Sequence, residues 1–507
     1  METDVAQVAR SSAYILTMDL AIFVISMAAF SFMAAYLGPA EMGVWTVMLM
    51  VLGAAGVLPT LISAPVKFIS QAVGAGEDHA SIITSILLAR LAMGCVVGTF
   101  FILASGQLAM LLLGGPGYAF VFQLLGIDVI FYMLRACLNT CLLGLNKAKE
   151  MSISRGLWAL LRQALVIALL WLGLGLLGLV LAWVLSDMLS CIYPAALLLA
   201  GGHLKRVSAR EAGRILSDIF KFSIPIFATT IVTFASNWFD RAIILGSRDL
   251  GELGIYNVAL TAYGILMTVP KSVGMAVSPY YGAKFGRKEH EDVRSTTKMI
   301  SKYLALLFMP TSLGLAALSY LVLMFIAGES YAQGHEILML ISVLGTASII
   351  SSILLRYLIT YERTIAYMAV KISSIAAGTT LALVLLPLMG LFGVALAKGI
   401  SAILLAALCV LATRSEIRLA WSSISRCFLA ASVMAALVYV IQALVSSLLL
   451  LPAYVLLGAA TYGLMVKALG VLSEEDVRIL TAVFPAWLRG PLFRLGLLFS
   501  RSPREEP

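Results

Sequence analysis

Apolar residues run along this chain in long blocks separated by short polar breaks. A helix needs about 20 mostly apolar residues to cross a bilayer. Fourteen stretches qualify: 12–36, 42–66, 81–104, 118–143, 153–173, 176–199, 220–245, 254–280, 298–326, 335–360, 364–387, 390–412, 425–446 and 451–469. Gly38-Pro39, the run from Gly173 to Gly178, and Pro387 mark the tightest breaks. Pro225, Pro270 and Pro310 fall inside blocks and predict kinks. The pattern therefore predicts an all-α polytopic membrane protein of about 14 transmembrane helices.

The pattern also repeats. EMGVWTV at Glu41–Val47 returns as ELGIYNV at Glu252–Val258, 211 residues on, and Pro59 and Pro270 keep the same offset. LLGLVLAWVLSDML from Leu176 is echoed by LFGVALAKGISAIL from Leu391. Two halves of the chain thus read as copies of one bundle, an arrangement that transporters use with a site at the repeat interface.

Composition agrees with the pattern: 61% of the 507 residues are hydrophobic and 12% are charged, against about 25% charged in soluble domains. The polar start METDVAQVAR is followed by no short cleavable apolar segment, so no signal peptide is predicted. The net charge of +9 is explained by membrane topology rather than by a nucleic-acid partner. With the N-terminus inside, the inner loops hold Lys147, Lys149, Arg155, Lys205, Arg206, Arg210, Arg214, Lys284, Arg287, Lys288, Arg294, Arg363, Arg414 and Arg418. The outer loops hold Arg248 beside Asp249 and Glu252, and otherwise Glu41, Glu329 and Glu336. An even span count with both termini cytoplasmic satisfies the positive-inside bias. The six cysteines lie in or beside apolar blocks without metal-ligand spacing and read as small buried hydrophobes.

Loop 201–219 reads as a linker between the repeats, and FGRKEHEDVR as a solvated surface stretch. The tail opens with SEED, a capping pattern joining Ser473 and Asp476. Arg478, Arg489 and Arg494 then interleave with apolar residues, as in an interfacial amphipathic helix.

No P-loop and no HExxH motif occurs, and the four histidines are scattered. A membrane polymerase or ligase needs a folded outer loop, and these breaks are too short for one. No metal site or cofactor is expected, apart from Na+ or H+ coupling.

Ionisable side chains within a membrane are costly and mark function by default. Here they are Asp19, Arg90, Asp128, Arg135 and Asp187 in the first half, and Asp240, Arg241, Lys271 and Lys398 in the second. Five of the nine are cationic and could line a wet cavity that accepts a polyanion. The competing reading is mutual neutralisation, Asp128 with Arg135 or Asp19 with Arg90. Asn237, Asp240 and Arg241 share one helix face. Arg241 offers a fork suited to phosphate, and Asp240 could orient it, bind an ion, or cap the following turn. Lys67 and Arg162 lie nearer the inner ends and are expected to snorkel. Trp183, Trp238, Tyr263 and Tyr303 are candidates for stacking on sugar, or for interfacial belts.

LGPAEMGVW, and FDRAIILG followed by LGELGIYNVA, resemble the polysaccharide-transporter branch of the multidrug/oligosaccharidyl-lipid/polysaccharide exporter superfamily. These are the O-antigen-type flippases. The resemblance extends over the whole chain in span count, orientation and repetition. It implies two six-helix lobes facing each other in a V, residues 1–200 and 220–412 about the linker 201–219. A further helix pair (413–470) and an amphipathic cytoplasmic tail (471–507) follow. It implies a function: moving a polyprenyl-(pyro)phosphate-linked oligosaccharide from the cytoplasmic to the outer leaflet of the plasma (inner) membrane, with membrane lipid as the other partner. A cationic cavity would then draw on Arg90, Arg135, Arg241, Lys271 and Lys398. Asp19 and Asp128 are candidates for ion coupling, with Asp187, Asn237 and Asp240 coupling ions or orienting arginines. No residue matches a dedicated Na+ or H+ motif, so the coupling ion stays open. Nothing in the chain demands an oligomer. The alternatives are a cation-coupled multidrug antiporter on the same fold, whose cavity should be acidic, and a membrane polymerase or ligase.

Overall fold

The computed structural model describes residues 22, 25–62, 65–247, 249–267, 290–474 and 476–478, and the regular elements among them are all helical. They are α1 (Ile25–Tyr36), α2 (Pro39–Ala55), α3 (Pro65–Ala75), α4 (His79–Leu103), α5 (Ser105–Leu113), α6 (Ala119–Gly144), α7 (Ala148–Trp171), α8 (Gly175–Ser190) and α9 (Ile192–Ala200). Then come α10 (Ala209–Ser247), α11 (Leu250–Leu266), α12 (His290–Ala317), α13 (Ser319–Ala327), α14 (His335–Leu344) and α15 (Ser348–Thr360). The last are α16 (Thr364–Thr413), α17 (Trp421–Leu444) and α18 (Leu451–Ala468). Eleven helical stretches among the described residues are long and apolar enough to span a membrane. Within those residues the fourteen predicted blocks lie mostly on helix, with turns at Gly56 and Val57, Leu172 and Gly173, Cys191 and Leu318 among the exceptions. The chain is a multi-pass helical membrane protein.

The blocks at 364–387 and 390–412 form one element, α16, bent at Gly390 (φ 59°, ψ −143°). Only glycine adopts that backbone freely. Beyond it the chain doubles back: the Ser374 and Ser401 hydroxyls each donate to the other's carbonyl, at 2.8 and 2.9 Å. The turn predicted at Pro387 is thus made three residues later. Pro225 and Pro310 lie within α10 and α12, which continue through them.

The chain forms two compact units, residues 1–254 and 255–507. In the first, α4 and α6 cross so closely that a Cβ on Gly98 or on Gly126 would collide with the other's carbonyl oxygen. Small residues at such crossings let helix backbones touch where lipid offers no hydrophobic driving force. The core beside this crossing holds Ile69, Ile83, Ile86, Leu138 and Leu142. One position of the repeated heptapeptide is also explained here. Its third residues, Gly43 and Gly254, meet where α2 and α11 begin, each filling space that a side chain would take from the other's helix.

The second unit packs α12 against α17 around Leu304, Phe308, Ile353, Leu354, Cys409 and Cys427. The Tyr462 hydroxyl of α18 donates to the Leu306 carbonyl at 2.9 Å. Asn146 (φ 62°) and Glu362 (φ 56°) occupy matching turns in the two units, before α7 and before α16. Ser473 and Asp476 form the capping box expected of them, and Lys302 and Tyr303 add bonds to the same carboxylate. Five cysteines are buried as expected; Cys95 is exposed, because its side of α4 is an apolar outer face that also carries Leu88 and Val96. Asp19, Arg248, Pro270, Lys271, residues 281–289 and the tail from 479 lie outside the described residues.

Candidate functional site

Three helices of the first unit aim polar side chains at one point. α6 presents Asp128, Tyr132 and Arg135, spaced four and seven residues apart and so on one face. α7 presents Trp158 and Arg162, and α8 presents Trp183, Ser186 and Asp187, by the same periodicity.

Asp187 is the hub. Its Oδ1 accepts from Arg135 Nε at 3.1 Å, Arg162 Nη2 at 3.1 Å and Trp158 Nε1 at 2.5 Å. Arg162 Nε donates to Ser186 Oγ at 3.4 Å. The cations are layered between indoles. Arg135 lies 4.1 Å and Arg162 4.2 Å from the Trp158 ring centroid, and Arg162 lies 3.8 Å from that of Trp183. Such contacts gain strength when desolvated. Asp187 is fully buried, and both arginines are nearly so. A buried pair of this kind is weak evidence for stability and stronger evidence for a specified arrangement.

Asp128 belongs to the same cluster and is treated differently. It is 1% exposed, and neither carboxylate oxygen has a hydrogen-bond partner. The neutralising pair with Arg135 is therefore not formed; Arg135 turns to Asp187 instead, because the partner on α8 is nearer to its Nε.

The other sequence candidates fall elsewhere. Arg90 is buried in α4 and donates to the Ile62 carbonyl at 2.8 Å, while its Nε is buried without a partner. On α10, Arg241 bends back to the Asn237 carbonyl (2.9 Å), with the fully buried Asp240 3.6 Å away and the Trp238 ring 4.8 Å from it. The Asn237 side chain is exposed. Lys398 is half-buried on the second limb of α16, in the other unit. Asp19 and Lys271 are outside the described residues.

Arg162 corrects the sequence reading. It is buried in the cluster rather than snorkelling, since two tryptophans and Asp187 hold it. Trp158 and Ser186 were not legible as site residues; the i, i+4 spacing of Trp158 and Arg162 was the only signal. Trp183 stacks on Arg162, and Tyr303 bonds Asp476. Lys67, by contrast, is exposed and lies over the Phe222 ring at 3.7 Å.

A second polar group sits at helix ends. Lys147 Nζ lies 3.0 Å from His203 Nε2, and His203 Nδ1 lies 3.1 Å from His79 Nε2. An ammonium only donates, so His203 carries its proton on Nδ1 and donates it to His79. Burial first, then Lys147 and His79, hold His203 below the ordinary histidine range. Beside it, hydrogen bonds from Lys205 and then Ser81 hold Asp78 well below the usual carboxylate range. In the second unit a cavity of about 450 Å³ is lined by Arg294, Arg363, Glu291 and Glu416, and Arg363 pairs with Glu416 at 2.8 Å. Among the described residues no three His, Cys, Asp or Glu side chains converge to hold a metal ion.

Residues 32–336 match the model of a polysaccharide biosynthesis protein family. No curated protein sequence matches the chain significantly. A lipid II flippase, MurJ, in an inward closed conformation superposes with a TM-score of 0.74 at 13% identity, over 90% of this chain and 98% of that one. An inward-facing multidrug resistance MATE transporter superposes at 0.66 and 14% identity, over 78% and 94%. A MOP superfamily transporter from Pyrococcus furiosus, whose binding pocket is described as reversed in polarity, gives 0.59 at 17% identity, over 81% and 95%. At these identities the likeness establishes a shared fold.

Proposed function

Since the chain belongs to the polysaccharide biosynthesis protein family, we propose that it is a flippase for a saccharide joined through phosphate or pyrophosphate to a polyprenyl lipid. It moves this molecule from the cytoplasmic to the outer leaflet of the plasma membrane, for cell-surface polysaccharide assembly. It works as a monomer with both termini in the cytoplasm, and as a transporter rather than an enzyme. The family match carries this reading, and the buried arginines support it.

The physical need is clear. A glycan head is too polar to cross hydrocarbon unaided, whereas its lipid tail can stay in the bilayer. Basic side chains compensate the phosphate charge, and Arg90, Arg135, Arg241, Lys271 and Lys398 are the residues proposed for that task. Asp19, Asp128, Asp187, Asn237 and Asp240 are proposed to couple an ion, Na+ or H+, or to orient the arginines. Alternating access then exchanges the exposed leaflet.

The test is reconstitution into liposomes with a fluorescent polyprenyl-pyrophosphate oligosaccharide, scoring leaflet transfer. Wild type should transfer it, and Arg135→Ala and Arg241→Ala should transfer it at least tenfold more slowly, about 1.4 kcal/mol each. Transfer untouched by either change would move head-group recognition to Arg90 or Lys398. The second reading is a cation-coupled multidrug antiporter, which the lone carboxylate of Asp128 favours. Export of small organic cations without any leaflet transfer would decide for it.

A further inference from the structure

Asp128 is a carboxyl group buried without a hydrogen-bond partner. Its two oxygens accept no hydrogen bond at 1% exposure. The charged and titratable groups that face it are Asp187 from α8, Arg162 from α7, and Arg135 and Tyr132 from its own helix. α4, packed against α6, brings Arg90, which is turned to the Ile62 carbonyl. Both facing guanidiniums are committed to one oxygen of Asp187. Ionised, the two carboxylates cancel the two guanidiniums. One proton on Asp128 leaves a net charge of +1.

We propose that Asp128 takes up a proton from water, and that the cluster, now a net cation, receives a phosphate oxygen of the lipid-linked substrate on Arg135 and Arg162. This rests on the flippase reading and names how its anion would be gated. The guanidiniums are suited to it. Arg135 uses only Nε, and Arg162 only Nε and Nη2, for hydrogen bonds among the described residues. Nη1 and Nη2 of Arg135 and Nη1 of Arg162 make no hydrogen bond among the described residues. The Trp158 and Trp183 rings fix both planes, so little order remains to be imposed when the anion arrives. A metal cation fits the same place poorly. It needs several oxygen ligands, and although Asp187 and Tyr132 face Asp128, two guanidiniums stand there with them and repel a cation. Proton and anion then favour each other's binding by the same factor.

The experiment uses the full chain in lipid nanodiscs and has two arms. Infrared difference spectra across a pH step, without substrate, should show a protonated-carboxyl band that Asp128→Asn removes and Asp128→Glu retains. Binding of polyprenyl pyrophosphate to wild type should weaken up to about tenfold per pH unit once Asp128 ionises. Asp128→Asn, locked in the neutral state, should bind at every pH as wild type does at low pH. A band indifferent to Asp128→Asn overturns the proposal, as does wild-type binding that ignores pH or an equal pH slope in the variant. The infrared arm contains no lipid-linked ligand, so a protein that flips substrate but lacks the Asp128 band defeats only this inference. A protein with the band but no binding and no leaflet transfer defeats the flippase reading, and the anion step with it.

Discussion

Asp187 holds two guanidiniums and an indole with one oxygen, so its loss leaves two cations buried without an acid. Removing one partner of a buried pair costs about 3–5 kcal/mol. Asp187→Ala should lower the thermal unfolding midpoint far more than Arg478→Ala, whose Glu474 partner is exposed. An equal effect of the two changes, read by thermal unfolding in detergent, would mean that the cluster carries no structural weight. Glu362 gives a prediction of opposite sign. Its left-handed φ of 56° strains a non-glycine residue by roughly 1–2 kcal/mol. Glu362→Gly should raise the midpoint modestly, part of the gain being lost to the freer unfolded chain. The same residues bound what could be read in advance. Asp128, Arg135 and Asp187 were visible as charges in apolar blocks. Which charge pairs with which was not, because α6 and α8 meet through tertiary packing that no spacing along one helix encodes.

At the scale of the helix, small residues set the distances. Gly126 touches the α4 backbone, so Gly126→Leu must force α4 and α6 apart. Overpacking of this kind costs about 1–3 kcal/mol, and a flexible turn could not absorb it here. Folded yield on size-exclusion chromatography should fall for Gly126→Leu and stay unchanged for Gly106→Leu, where a side chain meets open space. Gly390→Ala meets a different obstacle, a backbone conformation costing about 1–3 kcal/mol for other residues. The helices themselves were legible because each is an apolar block long enough to span. Their ends were less so: α10 begins at Ala209 and α12 at His290, since polar residues can extend a helix beyond the apolar block that signals it. The break predicted between 387 and 390 was found at its far edge, at Gly390.

At the scale of the molecule, the repeat was the most telling feature of the sequence. Its glycines, Gly43 and Gly254, proved to be contact points where a side chain fits at neither position. The polar group at the helix ends predicts how the protein responds to acid. His203 is held below its ordinary value of 6.5, so the folded state binds fewer protons there than the unfolded chain. Its stability contribution is complete above that value and is lost as pH falls through it. Protection of amides 201–208 from hydrogen exchange, taken relative to the intrinsic rate at each pH, should therefore fall between about pH 7 and pH 5, and His203→Asn should remove that dependence. Protection that is flat with pH in wild type would show that the Lys147–His203–His79 chain holds nothing in place.

The α16 hairpin bears on how the protein is made. Its turn is a single glycine, and Arg363 at one end reaches the Ala412 carbonyl and Glu416 at the other, 3.1 and 2.8 Å away. No loop is available for the translocation machinery to hold between the limbs, so both must enter the bilayer as one piece. The basic residues that sort orientation, Arg363, Arg414 and Arg418, all lie at the open end. They vote together, and the insertion direction of α17 and α18 follows from that vote. A reporter fused after Leu444 should keep its side when any one arginine is neutralised, and change it only when all three are.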